Sequence, residues 1–233
     1  WKGVTFNGYF FLFQDSTDPI YYDGTTCDLV ENSGLYSGTV PQGNEVIAAF
    51  GRLWAVDANK RVIYWSDLLN GFSWNTGSAG SINLNKVWAD QSDEIVALAS
   101  HNGYLVIFGK RQILVYSGPQ DPATMQLADT IVGVGCLARD SVQNTGQDLI
   151  FLADSGVRSF NRVIQEKSLP MRDISKNVRT DLMTLALSQG LPIKSAYSED
   201  EAFYLLTLPT SNAVYCFDMR GSLQDGSHRA TLW

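Results

Sequence analysis

The feature that most constrains this chain is a short unit that recurs five times with drift. Each copy has a small turn, an apolar strand, a second polar turn, and another strand ending near Asp or Gly. The copies are 9–13 with 20–22, 53–56 with 62–65, 104–108 with 113–116, 149–152 with 157–160, and 203–206 with 214–218. Gly8, Gly51, Gly103 and Gly146 mark successive copies at spacings of 43, 52 and 43 residues, with a longer step to Asp200. Periods of about 40–50 residues with several short strands per unit are those of propeller blades. One twisted hairpin cannot bury both faces, whereas wedges arranged radially cover one another and leave few edges exposed. Short apolar stretches between the hairpins, such as Val46 to Phe50, Glu94 to Ala99 and Ala138 to Val142, supply the remaining strands. A β-sandwich uses the same ingredients. The drifting self-similarity favours an all-β propeller.

One stretch breaks the pattern. Ile174, Val178, Leu182 and Leu185 fall at helical spacing between Asp173, a candidate N-cap, and Gly190, a candidate stop. This predicts one short inserted helix over about 173–190. The surrounding stretch 158–194 is the only basic one, with seven cations against Glu166, Asp173 and Asp181. A contact with an acidic neighbour and a plain solvated helix face both fit so modest an excess.

With 45% hydrophobic residues, 233 residues suffice for a full core, so residues 1–233 are read as a single β-propeller domain. Opening on Trp1 rather than Met, the chain is expected to be a segment of a longer protein. No run approaches 18 apolar residues, and no membrane span or export signal is expected. The formal charge is −7, and residues 1–50 hold six acids (Asp15, Asp18, Asp23, Asp28, Glu31, Glu45) against Lys2 alone. Such a chain is a poor ligand for nucleic acid, because phosphate binding is driven by Lys and Arg releasing counterions. Cys27, Cys136 and Cys216 are odd in number and widely spaced. They are expected to be buried small hydrophobes and not a disulfide framework or zinc site.

Catalytic templates fail on spacing. Gly103 to Gly109 followed by Lys110 has five residues between the glycines, Arg111 where a P-loop needs Ser or Thr, and strand residues in the loop. No Gly-x-Ser-x-Gly elbow occurs. The two histidines, His101 and His228, stand apart from any evident nucleophile, and His101 reads as a surface residue at a strand end. Asp15, Asp18 and Asp23 lack the spacing of a calcium loop and read as turn formers. Asp57, Asp67, Asp154 and Asp218 lie near strand ends, where carboxylates from different blades can converge as a glycosidase pair. Turn chemistry accounts for them more simply. The sialidase box and WD repeats are absent: Asp154-Ser155-Gly156 lacks both the preceding hydroxyl and the following Trp. No catalytic, cofactor or metal residue is assigned, and no enzyme is expected.

The run 93–98 leading to Leu105-Val106-Ile107-Phe108-Gly109 and Gln112 to Tyr116 resembles the propeller of podophage tail proteins. So do Gly133-Val134-Gly135-Cys136, the segment 148–157, and the pair Phe203 to Leu208 and Val214 to Asp218. The chain resembles the packaged-DNA stabilisation proteins of lambdoid podophages and, more distantly, tail tubular protein B. The likeness covers roughly 46–220, is clearest over 93–218, and rests on pattern without an invariant catalytic motif. It implies a non-enzymatic structural protein of the virion tail, one subunit of a nozzle or hub ring. That ring would be a homo-oligomer, a hexamer, meeting an adaptor or head-completion protein and tail fibre or needle proteins. Genomic DNA would pass through it without specific binding. The alternatives from other classes are a carbohydrate-binding or carbohydrate-cleaving propeller and an intracellular peptide-binding scaffold.

Overall fold

The computed structural model describes residues 1–88, 93–166 and 173–233. These fold as five small antiparallel sheets, each a meander in which strands pair in chain order. The first sheet contains β1 (Lys2–Phe6), β2 (Tyr9–Gln14), β3 (Thr17–Tyr22) and β4 (Cys27–Leu29). The second contains β5 (Val46–Ala49), β6 (Arg52–Val56), β7 (Val62–Trp65) and β8 (Gly80–Asn83). In the third are β9 (Ile95–His101), β10 (Tyr104–Gly109), β11 (Gln112–Ser117) and β12 (Gln126–Val132). The fourth has three strands, β13 (Gln143–Asn144), β14 (Leu149–Ala153) and β15 (Gly156–Ser159). The fifth contains β16 (Lys194–Ser198), β17 (Phe203–Leu208), β18 (Ala213–Ser222) and β19 (His228–Leu232). The architecture is the all-β one of a β-propeller, and each hairpin of the sequence pattern is the second and third strands of a sheet.

The marker glycines sit where the first strand of a sheet turns into the second. In the first sheet Phe6 pairs with Tyr9, so Asn7-Gly8 forms a two-residue loop with φ of 48° and 86°. Asn102-Gly103 repeats it at 48° and 79°. Positive φ at both positions is the turn whose twist matches that of the strands it joins, and Asn-Gly meets that demand at least steric cost. The second sheet uses Phe50-Gly51 there, at 56° and 71°, with Ala49 paired to Arg52.

Burial separates the sheets into two kinds. All five residues of β6 and of β14 are buried, so these strands are covered on both faces and read as unbroken apolar runs. In β2 and β17 buried positions alternate with partly exposed ones, so these strands have one covered face.

The chain divides into two compact units, Trp1–Ile107 with Val115–Asp129, and Phe108–Leu114 with Thr130–Trp233. The first unit packs around Phe72, whose ring meets Tyr9, Tyr21 and Phe11 at centroid distances of 4.9, 5.0 and 5.1 Å. In the second, Leu152, Tyr204, Leu206, Leu208 and Phe217 form a core that also takes in Leu182, Met183 and Ala186.

Those last three side chains belong to a helix inside the segment expected to be helical, but the helix is shorter than expected. It occupies Arg179–Leu187 (α2) behind a single 3-10 turn at Lys176–Val178. Asp173 does not cap it: the N-cap position is Val178, and the Asp173 carboxylate is paired with arginines instead. An additional helix, α1 (Phe160–Glu166), follows β15 directly and takes Phe160 out of the strand. Among the described residues this sheet has no fourth strand. Along β15, the Ile174 amide bonds the Val157 carbonyl at 3.2 Å and the Val157 amide bonds Ser175 Oγ at 2.9 Å. Both helices also pack on β15, whose four residues are all buried. The insertion therefore covers a sheet edge that would otherwise present unpaired backbone groups.

Candidate functional site

The acidic residues at strand ends are each engaged locally. Asp57 Oδ1 accepts the amides of Arg61 and Val62 at 2.7 and 2.8 Å. Asp67 accepts the amides of Leu68 and Ser78 and the Ser78 hydroxyl, which together hold its carboxyl below the usual range. Asp218 pairs with Arg220 at 2.8 Å, and hydrogen bonds from that residue pull its pKa down to about 2. Asp154 is exposed in the β14–β15 turn. A glycosidase needs one carboxyl raised enough to act as an acid, whereas Asp67 and Asp218 are both lowered. Asp23 is the turn former expected, taking the amides of Thr25 and Thr26 at 2.8 and 2.6 Å. Asp15 and Asp18 reach instead to Asn44 and Gln42. No cluster of potential metal ligands occurs among the described residues.

His101 ends β9 as expected but is only 6% exposed, and its Nε2 lies 3.0 Å from Asn102 Nδ2. The strand end is covered here, so the expectation of a surface residue is corrected. His228 is equally buried and lies near Ser159 and Asp148. The three do not form a nucleophile relay: Ser159 Oγ donates directly to Asp148, and His228 Nδ1 lies 2.9 Å from the Asp218 carbonyl. Cys136 and Cys216 are buried, whereas Cys27 is exposed on edge strand β4. The apparent P-loop is strand β10 between two turns.

Sequence reading missed the polar groups that tie one sheet to the next. Glu45, 1% exposed, accepts Lys2 Nζ from the first sheet at 3.0 and 2.9 Å and the amide of Leu98 in the third at 2.9 Å. Its carbonyl takes the Val56 amide of the second. In the second unit, Tyr204 Oη donates to the Ser141 carbonyl at 2.7 Å, and burial pushes that hydroxyl's pKa far up. Gln143 reaches Ser195 from β13 to β16. A lone Glu before a strand and a Tyr within one carry no pattern that marks them.

The basic stretch is mostly spent inside the second unit. Arg158 is buried against Asp173, which also binds Arg179. Lys194 pairs with Asp140. Lys167 and Arg172, and the Glu166 side chain, lie outside the described residues. The prominent apolar tip of the first unit is Leu68-Leu69, 53% and 61% exposed, on a loop held by Asp67 and by Asn7 Nδ2 on the Leu69 carbonyl at 2.8 Å.

Solved structures with this fold include a computationally designed protein, Ika8, at 13% identity and TM-score 0.53, matched over 96% of this chain and 58% of that one. Hsv2 of Kluyveromyces lactis aligns at 13% identity and TM-score 0.56 over 100% of this chain and 71% of its own. The extracellular domain of a putative hybrid two-component system, BT4673, from B. thetaiotaomicron aligns at 10% identity and TM-score 0.51, over 98% and 34%. The chain thus spans just over half the length of the designed protein. At such identities these likenesses concern the fold alone. No curated protein matches the sequence. A family model described as "Phage_stabilise: Bacteriophage P22 Gp10, beta-propeller" matches residues 11–231, nearly the whole chain, and the protein belongs to that family of bacteriophage structural virion proteins.

Proposed function

We propose that this chain is a subunit of the tail nozzle or hub ring of a short-tailed phage, where it retains packaged DNA and conducts it during ejection. The observation that carries the reading is the family match over residues 11–231. The polar ties support it, because a part in a particle under internal pressure gains from groups that lock neighbouring sheets together. The acidic balance supports it too, since a conduit works best when its wall does not hold the nucleic acid. In this role the protein is non-enzymatic and needs no cofactor. Copies form a closed ring, a hexamer, that meets an adaptor or head-completion protein on one side and fibre or needle proteins on the other. Electron microscopy of purified virions, with the protein tagged, tests the placement. Density for a ring of copies in the tail is the expected result, together with DNA-leaking heads when the gene is disrupted. Absence from the virion, or a place in the capsid shell, would end the proposal.

A further inference from the structure

Within the second unit the β13–β14 turn, the end of β15, α1 and the start of β19 surround an open cavity of about 380 Å³. That is at the lower end of the about 300–1,000 Å³ usual for ligand pockets. Its floor is apolar, with Ile150 and Ile174 fully buried and Met219 beside them. Its wall combines the ring of Tyr197 with Gln147, Asp148, Arg162 and His228.

The state of each polar group restricts what fits. His228 Nδ1 lies 2.9 Å from the Asp218 carbonyl, which only accepts, so Nδ1 donates there and, in the neutral imidazole, Nε2 is the acceptor. Nε2 has no partner among the described residues, and because His228 lines the cavity that nitrogen is open to a ligand or to solvent. Arg162 spends one N–H on the Gly226 carbonyl at 3.1 Å, leaving the rest of its fork as donors. Asp148 holds the Ser159 hydroxyl and the amides of Leu149 and Asn161 and adds negative charge to the same wall. An anion would meet that carboxylate and an imidazole lone pair. A purely apolar ligand would strand Nε2 and the guanidinium without partners. A compact neutral ring bearing several hydroxyls satisfies donors and acceptors at once and sets its C–H face on Tyr197 and Met219.

We propose that this cavity binds a pyranose ring, either a free sugar or one residue of a glycan. The site does not depend on where in a virion the chain sits. For a ligand of hexose size the affinity is about millimolar.

The test is a ligand-observed NMR titration of the whole chain with methyl glucoside, methyl mannoside, methyl galactoside and N-acetylglucosamine. A second arm uses a purified bacterial surface polysaccharide, and a third inorganic phosphate. Binding in either sugar arm is expected, weakened about tenfold or more by Arg162→Gln and by Gln147→Ala, and abolished by Met219→Trp, which fills the floor. Gln147 is exposed, so Gln147→Ala decides the matter even if the other two variants fail to fold. The proposal is overturned if no sugar binds at about 50 mM, if phosphate binds in their place, or if Gln147→Ala leaves sugar binding unchanged.

Discussion

Glu45 shows how one residue can hold three sheets, and why the loss of its side chain should be felt. Its carboxylate takes Lys2 on one side and the Leu98 amide on the other. Replacing it with Ala leaves a buried amide without a partner and frees a lysine that can partly rehydrate, a loss of about 2–3 kcal/mol. Glu45→Gln keeps an acceptor for Leu98 and should cost about half that. Urea unfolding at constant slope reads both, and equal losses would mean that the Leu98 bond contributes nothing. Leu69 presents the opposite case. It is 61% exposed with φ of 55°, so it carries the left-handed penalty without a matching gain in burial. Leu69→Asn should therefore raise stability by up to about 1 kcal/mol, visible as a higher melting temperature. A decrease would show that the leucine is packed in solution. Asp140 sets an acid limit. Burial pushes its pKa up, but hydrogen bonds from Arg139 and Lys194 outweigh that and hold it at about 2. Because the folded value lies below the unfolded one of about 3.9, the contribution is complete above pH ~4 and is lost as pH falls toward 2. With Lys194 half exposed, about 1–2 kcal/mol is the expected size. Asp140→Asn should flatten the stability curve between those pH values.

At the level of elements, the five hairpins were legible because each signal was local. Asn7-Gly8 and Asn102-Gly103 specify their turns, and runs such as Leu149 to Leu152 announce strands covered on both sides. The fourth sheet was only half legible. Its spacing of apolar residues revealed a helix, yet Asp173 looked like a cap because a carboxylate before a helical run is the usual cap, whereas here it answers Arg158 across the fold. That pairing is non-local, and no period in the sequence encodes it. Nor did α1 have a signal of its own, since Val157 to Phe160 continues the strand pattern into it. The Asp173 pairing has a testable consequence. Asp173→Asn removes the carboxylate that faces the buried Arg158, which should cost up to about 3–5 kcal/mol and loosen the cover over β15. Limited proteolysis should then cut between α1 and α2 sooner than in the parent protein. The double change Arg158→Met with Asp173→Leu removes both charges and should restore most of the stability, as replaced buried pairs do. If the double variant is no better than the single one, the pair is not what secures the edge.

For the whole molecule, the division of charge is sharper than the sequence reading placed it. That reading found the excess in residues 1–50, but the entire first unit shares it, with 13 acids against 5 bases, or −8. The second unit has 11 against 12, or +1. Some of the second unit's cations are already paired, since Arg158, Arg179 and Lys194 all face carboxylates. Counterion release therefore offers little gain to a DNA duplex on either unit. In a filter-retention or anisotropy assay at 0.15 M salt the chain should bind duplex DNA more weakly than about 10⁻⁴ M, the loose end of non-specific affinity. Lowering the salt should not rescue binding, because added range strengthens repulsion by the −8 unit as much as attraction elsewhere. A micromolar affinity that falls steeply with salt would reveal a cationic track, and the protein would then grip DNA instead of letting it slide past.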